Sequence, residues 1–442
     1  MRVMTERARS YGAALLVFLL LMVTAASAVL LAALDPVSQR ARDATNHTIL
    51  KQAREALLGY ALTYADNHPG SPPGLLPCPD VNGDGLADVP CGVANQSALG
   101  RLPWRTLGIG PLRDSGGSCL WYGVSGTYKE TAGAVSTEAD GHFLLFDDAL
   151  NSLNGPNQDL AAMAVVIAPG MAIAGQSRTL NPATATECGS TTPGDGVNIA
   201  SRFLESRAGI DNASGFFAGT LLGLPISAIP SAGFSALVKA PASQDFNDAL
   251  VTLTARELRP VHRQMQRWVG QRVRACLAAY AAANAGRLPW PAPLNPATAP
   301  GYDDSDSQQR FGRIPTVLDH SAAVGLAAAW PADPLQPGTL CFAWGWWPNF
   351  RETVFLAIDG ETSPIGSGGA PSLQLDSLPQ KAAVLVAGRR DGLQQRLTNA
   401  QKAAVSHYLE SNNALPTADV FVSHDAGAVF FNDYVCSLAG CP

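Results

Sequence analysis

The same order of signals occurs twice along this chain, and that repetition limits the possible folds more than any other feature. The spacing predicts an amphipathic helix over about 46–67, with Leu50, Ala53, Leu57, Ala61 and Tyr64 on one face. A second is predicted over about 258–285, with Leu258, Val261, Met265, Val269, Val273, Cys276 and Tyr280 on one stripe. Each helix runs into a Pro-rich turn, Leu76-Pro77-Cys78-Pro79 and later Leu288-Pro289-Trp290-Pro291. Gly100-Arg101-Leu102-Pro103 and Gly312-Arg313-Ile314-Pro315 follow. Arg101 lies 25 residues after Leu76, and Arg313 lies 25 after Leu288.

The correspondence continues downstream. We match Cys119-Leu120-Trp121-Tyr122-Gly123 with Cys341-Phe342-Ala343-Trp344-Gly345, and FLLFDD at 143–148 with VFLAIDG at 354–360. LAAMAVVIAPG at 160–170 matches KAAVLVAGR at 381–389. Phe203-Leu204-Glu205-Ser206 matches Tyr408-Leu409-Glu410-Ser411, and Phe246-Asn247-Asp248 matches Phe431-Asn432-Asp433. These pairs predict two copies of one domain, 46–256 and 257–442. A period near 210 residues means tandem domains, whereas a solenoid repeats every ~20–50 residues. Within each copy a long helix, an irregular loop and short strands rich in Val, Phe, Trp and Leu predict an α+β arrangement, a helix packed on one face of an antiparallel sheet.

Composition supports sizeable cores: 47% of the 442 residues are hydrophobic and only 15% are charged. With 36 acidic against 30 basic side chains the formal charge is −6. That balance excludes a disordered chain, a basic nucleic-acid binder and a long coiled coil, so no nucleic acid is expected as a partner.

The N-terminus sets the expected compartment. Arg2, Arg7 and Arg9 stand against Glu6, and then 13–34 runs 22 residues without a charge. As a helix this run spans ~33 Å, enough for a bilayer core. Arginines before it and Asp35 after it predict a single membrane pass, with the N-terminus cytoplasmic and the bulk outside. A signal peptide cut after Ala26-Ser27-Ala28 is the competing expectation.

The short basic leader ending at Gly12, the long apolar helix, Pro36 and the amphipathic helix together resemble the type IV pilin and type II secretion pseudopilin class. The resemblance implies a leader at 1–12, removed by a leader peptidase between Gly12 and Ala13. It also implies a transmembrane helix and linker at 13–45, a single pass through a bacterial inner membrane with the bulk periplasmic or extracellular, and packing among other pilin-like subunits. Val17 stands where most members carry Glu. Some minor, tip-located pseudopilins also lack that Glu, which implies a minor or tip component. Each α+β domain follows the pilin globular domain in outline. The set LPCPD, GRLPWRTLG and CLWYGVSG also resembles a group of bacterial pilin-like proteins.

Eight cysteines, Cys78, Cys91, Cys119, Cys188, Cys276, Cys341, Cys436 and Cys441, include no C-x-x-C pair. Their even number in an exported chain favours disulfides. Cys78–Cys91 and Cys436–Cys441 are close enough to close local loops, and the spacing leaves the other four unassigned.

The sharpest local motif is Asp80, Asn82, Asp84, the Leu86 carbonyl and Asp88, which matches the first part of an EF-type loop and points to a structural calcium ion. Cys91 occupies the place of the closing Glu, and a bridge to Cys78 would close the loop instead. A solvated Asx turn is the alternative. Asp303, Asp304 and Asp306 form a weaker counterpart in the second copy.

Trp344, Trp346, Trp347 and Phe350 read as core or inter-domain packing, with a sugar or peptide platform as the alternative. On a strand, Trp344 and Trp346 would share one face and Trp347 the other. Trp104 and Arg105 read as a loop anchor. No metalloprotease, nucleophile-elbow or nucleotide-loop pattern occurs, so no enzyme is expected. Ser423, His424 and Asp425 are adjacent in sequence, which has no catalytic weight. The resulting expectation is a pilin- or pseudopilin-like filament subunit. The alternative is an exported or anchored ligand-binding protein that does not assemble.

Overall fold

The computed structural model describes the chain except residues 1–2, 94, 132–134, 155–160, 193, 218–234, 299, 306–307, 391–392, 416, 418 and 429. In its first helix, side chains are described at 15–27 and from 38 onward. That helix, α1, runs Val3–Asn67. The strands of the first half are β1 (Ala98–Arg101), β2 (Trp121–Val124), β3 (Phe143–Phe146), β4 (Ala164–Ala168), β5 (Ser206–Arg207), β6 (Ile210–Asp211), β7 (Phe216–Phe217), β8 (Ser235–Val238) and β9 (Ala249–Leu253). Helix α2 (Arg259–Ala283) opens the second half. Its strands are β10 (Phe311–Arg313), β11 (Val354–Ile358), β12 (Gln374–Leu375), β13 (Leu378–Pro379), β14 (Ala382–Val386), β15 (Val420–Phe421) and β16 (Tyr434–Ser437).

Two four-stranded antiparallel sheets carry the fold, ordered β1-β2-β4-β9 and β10-β11-β14-β16. Helix α1 lies on β4 and β9, and α2 on β14 and β16. The stripe Leu50, Ala53, Leu57, Ala61 and Tyr64 is buried, as are Val261, Met265, Val269, Val273, Cys276 and Tyr280. Both stripes enter one continuous apolar core that also takes in Leu76, Tyr128, Val166, Val384 and Tyr434.

The opposite sheet faces have their own cores. Trp121, Phe143, Val165, Ile167 and Phe203 fill the first, and Phe355, Leu385, Tyr408 and Phe421 fill the second. Polar contacts also join the halves. Arg390 reaches Asp140 at 2.8 Å, Arg396 reaches Glu138 at 2.5 Å, and Arg389 pairs with Asp140.

The structure corrects three expectations. First, among the described residues no helix is long and apolar enough to cross a membrane. The described part of the apolar run, Leu15–Ser27, has 13 residues, or ~20 Å of helix against a hydrocarbon core of ~30 Å. The expected transmembrane helix at 13–45 and the single-pass inner-membrane location are therefore unsupported.

Second, a domain is not one helix on one antiparallel sheet. Among the described residues the strands form five sheets, and the β3–β8 and β12–β15 pairs are parallel. The reason is that β2, β4, β11 and β14 are apolar at every position and need cover on both faces. The helix covers one face, and the extra strands and loops cover the other.

Third, the match between CLWYG and CFAWG is out of place. Arg101 sits opposite Trp121 and Arg313 opposite Phe355, so β2 corresponds to β11. FLLF forms β3, whose parallel pairing with β8 is mirrored by β12 with β15.

Candidate functional site

The largest exposed apolar feature is the described N-terminal part of α1. Nine consecutive residues, Leu15 to Val23, are 52–69% exposed. Farther along the same helix Leu57 and Ala61 are fully buried. One continuous helix thus has a docked half and a projecting apolar half. The projecting stretch has no polar face, the mark of a helix that is covered on all sides in its working state. Gly12 and Ala13, the expected processing site, lie in α1 outside the described side chains.

The loop at 80–88 is built from carboxylates turned inward on their own backbone. Asp80, fully buried, accepts from the amides of Asn82 at 3.0 Å, Gly83 at 2.5 Å and Gly85 at 2.7 Å. Asn82 Oδ1 accepts from Asp84 N, Asp84 Oδ1 from Leu86 N, and Asp88 Oδ2 from Val81 N. Burial raises the Asp80 carboxyl, while the three amides pull it down. These contacts make the loop a run of Asx turns. Among the described residues no group of three or more His, Cys, Asp or Glu is arranged to hold a metal ion.

Asp304 is likewise taken up by the amides of His320 and Ser321, and Asp306 lies outside the described residues. Beside the first loop Arg105 lies over Trp104, 4.8 Å from the ring centre, with Gly85 packed against the indole. Gly85 has φ +92° and no room for a side chain.

All eight cysteines are paired, Cys78–Cys91, Cys119–Cys188, Cys276–Cys341 and Cys436–Cys441, and none is free. This oxidised set is consistent with an exported protein.

The tryptophan cluster is buried, but not on a strand. Trp347–Asn349 is a 3₁₀ turn, and Trp344 stacks on Trp346 with ring centres 4.6 Å apart. Trp344 Nε1 donates to Asp333 at 2.9 Å, and Trp268 of α2 meets Trp346 edge-on. Pro348 and the Cys276–Cys341 bridge turn the chain here, so the expected alternation of faces is lost.

What the spacing of Gly-Arg-x-Pro did not reveal is the surroundings of the two arginines. Arg101 is sandwiched between Trp121 at 4.1 Å and Phe203 at 4.2 Å, and donates to the carbonyls of Cys119 and Val197 at 2.8 Å each. Arg313 repeats this between Phe355 at 4.1 Å and Tyr408 at 4.4 Å, donating to Glu352 O and Lys402 O. Burial pushes Arg101 down to about 9.

A second arginine stacks on the same ring in each half, Arg178 on Phe203 and Arg396 on Tyr408. Each bonds the glutamine two residues before it, at 2.7 Å and 2.8 Å. The recurring Gln-x-Arg at 176–178 and 394–396 was the available signal. These clusters are internal keystones, each guanidinium held by a ring together with carbonyls or side chains on other segments.

Asp425 bonds Ser411, and Ser423 meets His424 only at 3.5 Å. A small half-open depression of about 80 Å³ lies beside β1 and β8, lined by Leu99, Phe143, Val165, Leu237, Asn212 and Ser214. Compared with known protein families, curated proteins and solved structures, the chain finds no match.

Proposed function

We propose that this chain is a pilin- or pseudopilin-type subunit, exported and oxidised, that assembles with subunits like itself through the projecting apolar stretch of α1. One observation carries the reading: nine large apolar side chains in succession lie exposed on a helix whose other half is locked onto a sheet. Burying such side chains stabilises by ~1.5–3 kcal/mol each, a drive of roughly 14–27 kcal/mol for the nine before the costs of association. Because the stretch is apolar all round, the fitting occupant is a bundle of equivalent helices rather than a single groove. The globular body, at 46–442, would then lie outside the bundle. Its bulk favours a minor or tip position over a close-packed shaft.

The test is sedimentation of the full chain at rising concentration, beside a Leu16→Asp/Leu20→Asp variant. Wild type is expected to form higher assemblies and the variant to stay monomeric with an unchanged melting temperature. A monomeric wild type at all concentrations would reject the assembly role.

A further inference from the structure

We propose that each half of the molecule holds one proton in a buried carboxyl–carboxylate pair, Asp248 with Glu205 and Asp433 with Glu410, and that this proton pins a mid-domain loop to the last strand. The argument begins with which oxygens are occupied. Asp248 Oδ2 accepts from Glu205 N at 2.9 Å and Asn212 Nδ2 at 3.0 Å. Glu205 Oε2 accepts from Asn247 N and Asp248 N, both at 3.0 Å, and its Oε1 from Gln176 at 2.7 Å. Both glutamate oxygens therefore face N–H donors, which fixes this group as the carboxylate.

Asp248 Oδ1 is buried with no partner that accepts it as a bare oxygen, although Asp248 and Glu205 interact side chain to side chain. A buried oxygen left in that position is satisfied when it carries a hydrogen and donates to the glutamate.

The second half repeats the pattern except for one amide contact to the glutamate. Asp433 Oδ2 accepts from Glu410 N and Asn413 Nδ2, both at 3.0 Å. Glu410 Oε2 accepts from Asn432 N at 3.1 Å and Oε1 from Gln394 at 2.9 Å. Asp433 Oδ1 is again buried and unpartnered. Two coincident orphan oxygens at matching places indicate a built feature. The asparagines complete each latch: Asn212 exchanges two bonds with the backbone of Val238, and Asn413 does the same with Val422.

Arg178 stacks on Phe203 and its charge acts on Glu205 and Asp248, and Arg396 stacks on Tyr408 and its charge acts on Glu410. Arg263 of α2 binds the Asp433 carbonyl from the helix side. Burial first, and then the glutamate charge, push both aspartates well above the usual range. A raised folded value makes the native state the stronger proton binder. The latch is therefore at full strength below the unfolded aspartate value of ~3.9, and weakens as pH rises towards the raised folded value.

The full chain, Asp248→Asn, Asp433→Asn, their double variant and Glu205→Gln are compared by melting across pH and by infrared spectroscopy. Asparagine reproduces the protonated aspartate, with a donor at Oδ1 and an acceptor at Oδ2. The double variant is expected to melt progressively higher relative to wild type as pH rises. Wild type is expected to show a protonated carboxylic acid band at neutral pH that the double variant lacks. Glu205→Gln turns an amide donor against N–H groups and is expected to melt about 4–10 °C below Asp248→Asn. If that variant does not fold, the infrared band and the aspartate variants decide alone. Absence of the band, or a melting difference independent of pH, overturns the proposal. So does calcium chloride abolishing the band while raising the melting temperature, which would put a cation in the proton's place.

Discussion

Arg101 and Arg313 show how much a single side chain organises here. Each guanidinium joins a sheet strand to a ring and a carbonyl on distant loops, and each is almost fully buried. Lysine keeps the charge but loses the planar fork and the stacking. Arg101→Lys and Arg313→Lys are each expected to lower stability by about 2–4 kcal/mol in denaturant titration, through carbonyls left without donors and a poorly solvated ammonium. The equal 25-residue spacing singled out both arginines in the sequence. Phe203 and Tyr408 also appear among the sequence repeats, yet nothing linked them to the arginines. The contact spans about 100 residues, and no local rule reports it. The 80–88 loop teaches the opposite lesson. Its oxygen spacing was legible, but the same spacing serves a cation or the loop's own amides, and only the folded loop shows Asp80 bonding the amides of Gly83 and Gly85.

Among elements, the helices were the easiest to read, because an apolar stripe at helical spacing must meet a core. The short strands were harder. A four-residue apolar run such as FLLF fits several sheet positions, which explains the misplaced match between the halves. The loops between strands are held covalently, above all by Cys119–Cys188 across 69 residues. Replacing both with serine removes a large loop constraint from the unfolded chain and is expected to cost about 4 kcal/mol, seen as a lower melting temperature that reductant does not lower further at this bridge. Four of the eight cysteines could not be paired by spacing, because their partners lie on different elements.

For the whole molecule, the joint between the halves decides behaviour. His262 of α2 is fully enclosed, bonds Tyr128 of the first half at 3.1 Å and is pushed down to about 3 by burial, with Arg389 adding to the effect. A depressed histidine stabilises fully above its unfolded value of ~6.5, and the contribution is lost as pH falls towards the folded value. Melting curves of His262→Gln are expected to flatten the decline of wild type between about pH 6.5 and 3; an unchanged slope would show that the joint does not sense this proton.

The sequence by itself determined the two helix stripes, the paired order of elements and the oxidised character of the cysteines. These follow from local periodicity and composition. Only the tertiary structure decided which strand pairs with which, where the arginines dock and which carboxyls are buried side by side. Those outcomes depend on groups far apart in the chain being desolvated together, and desolvation is a property of the packed whole.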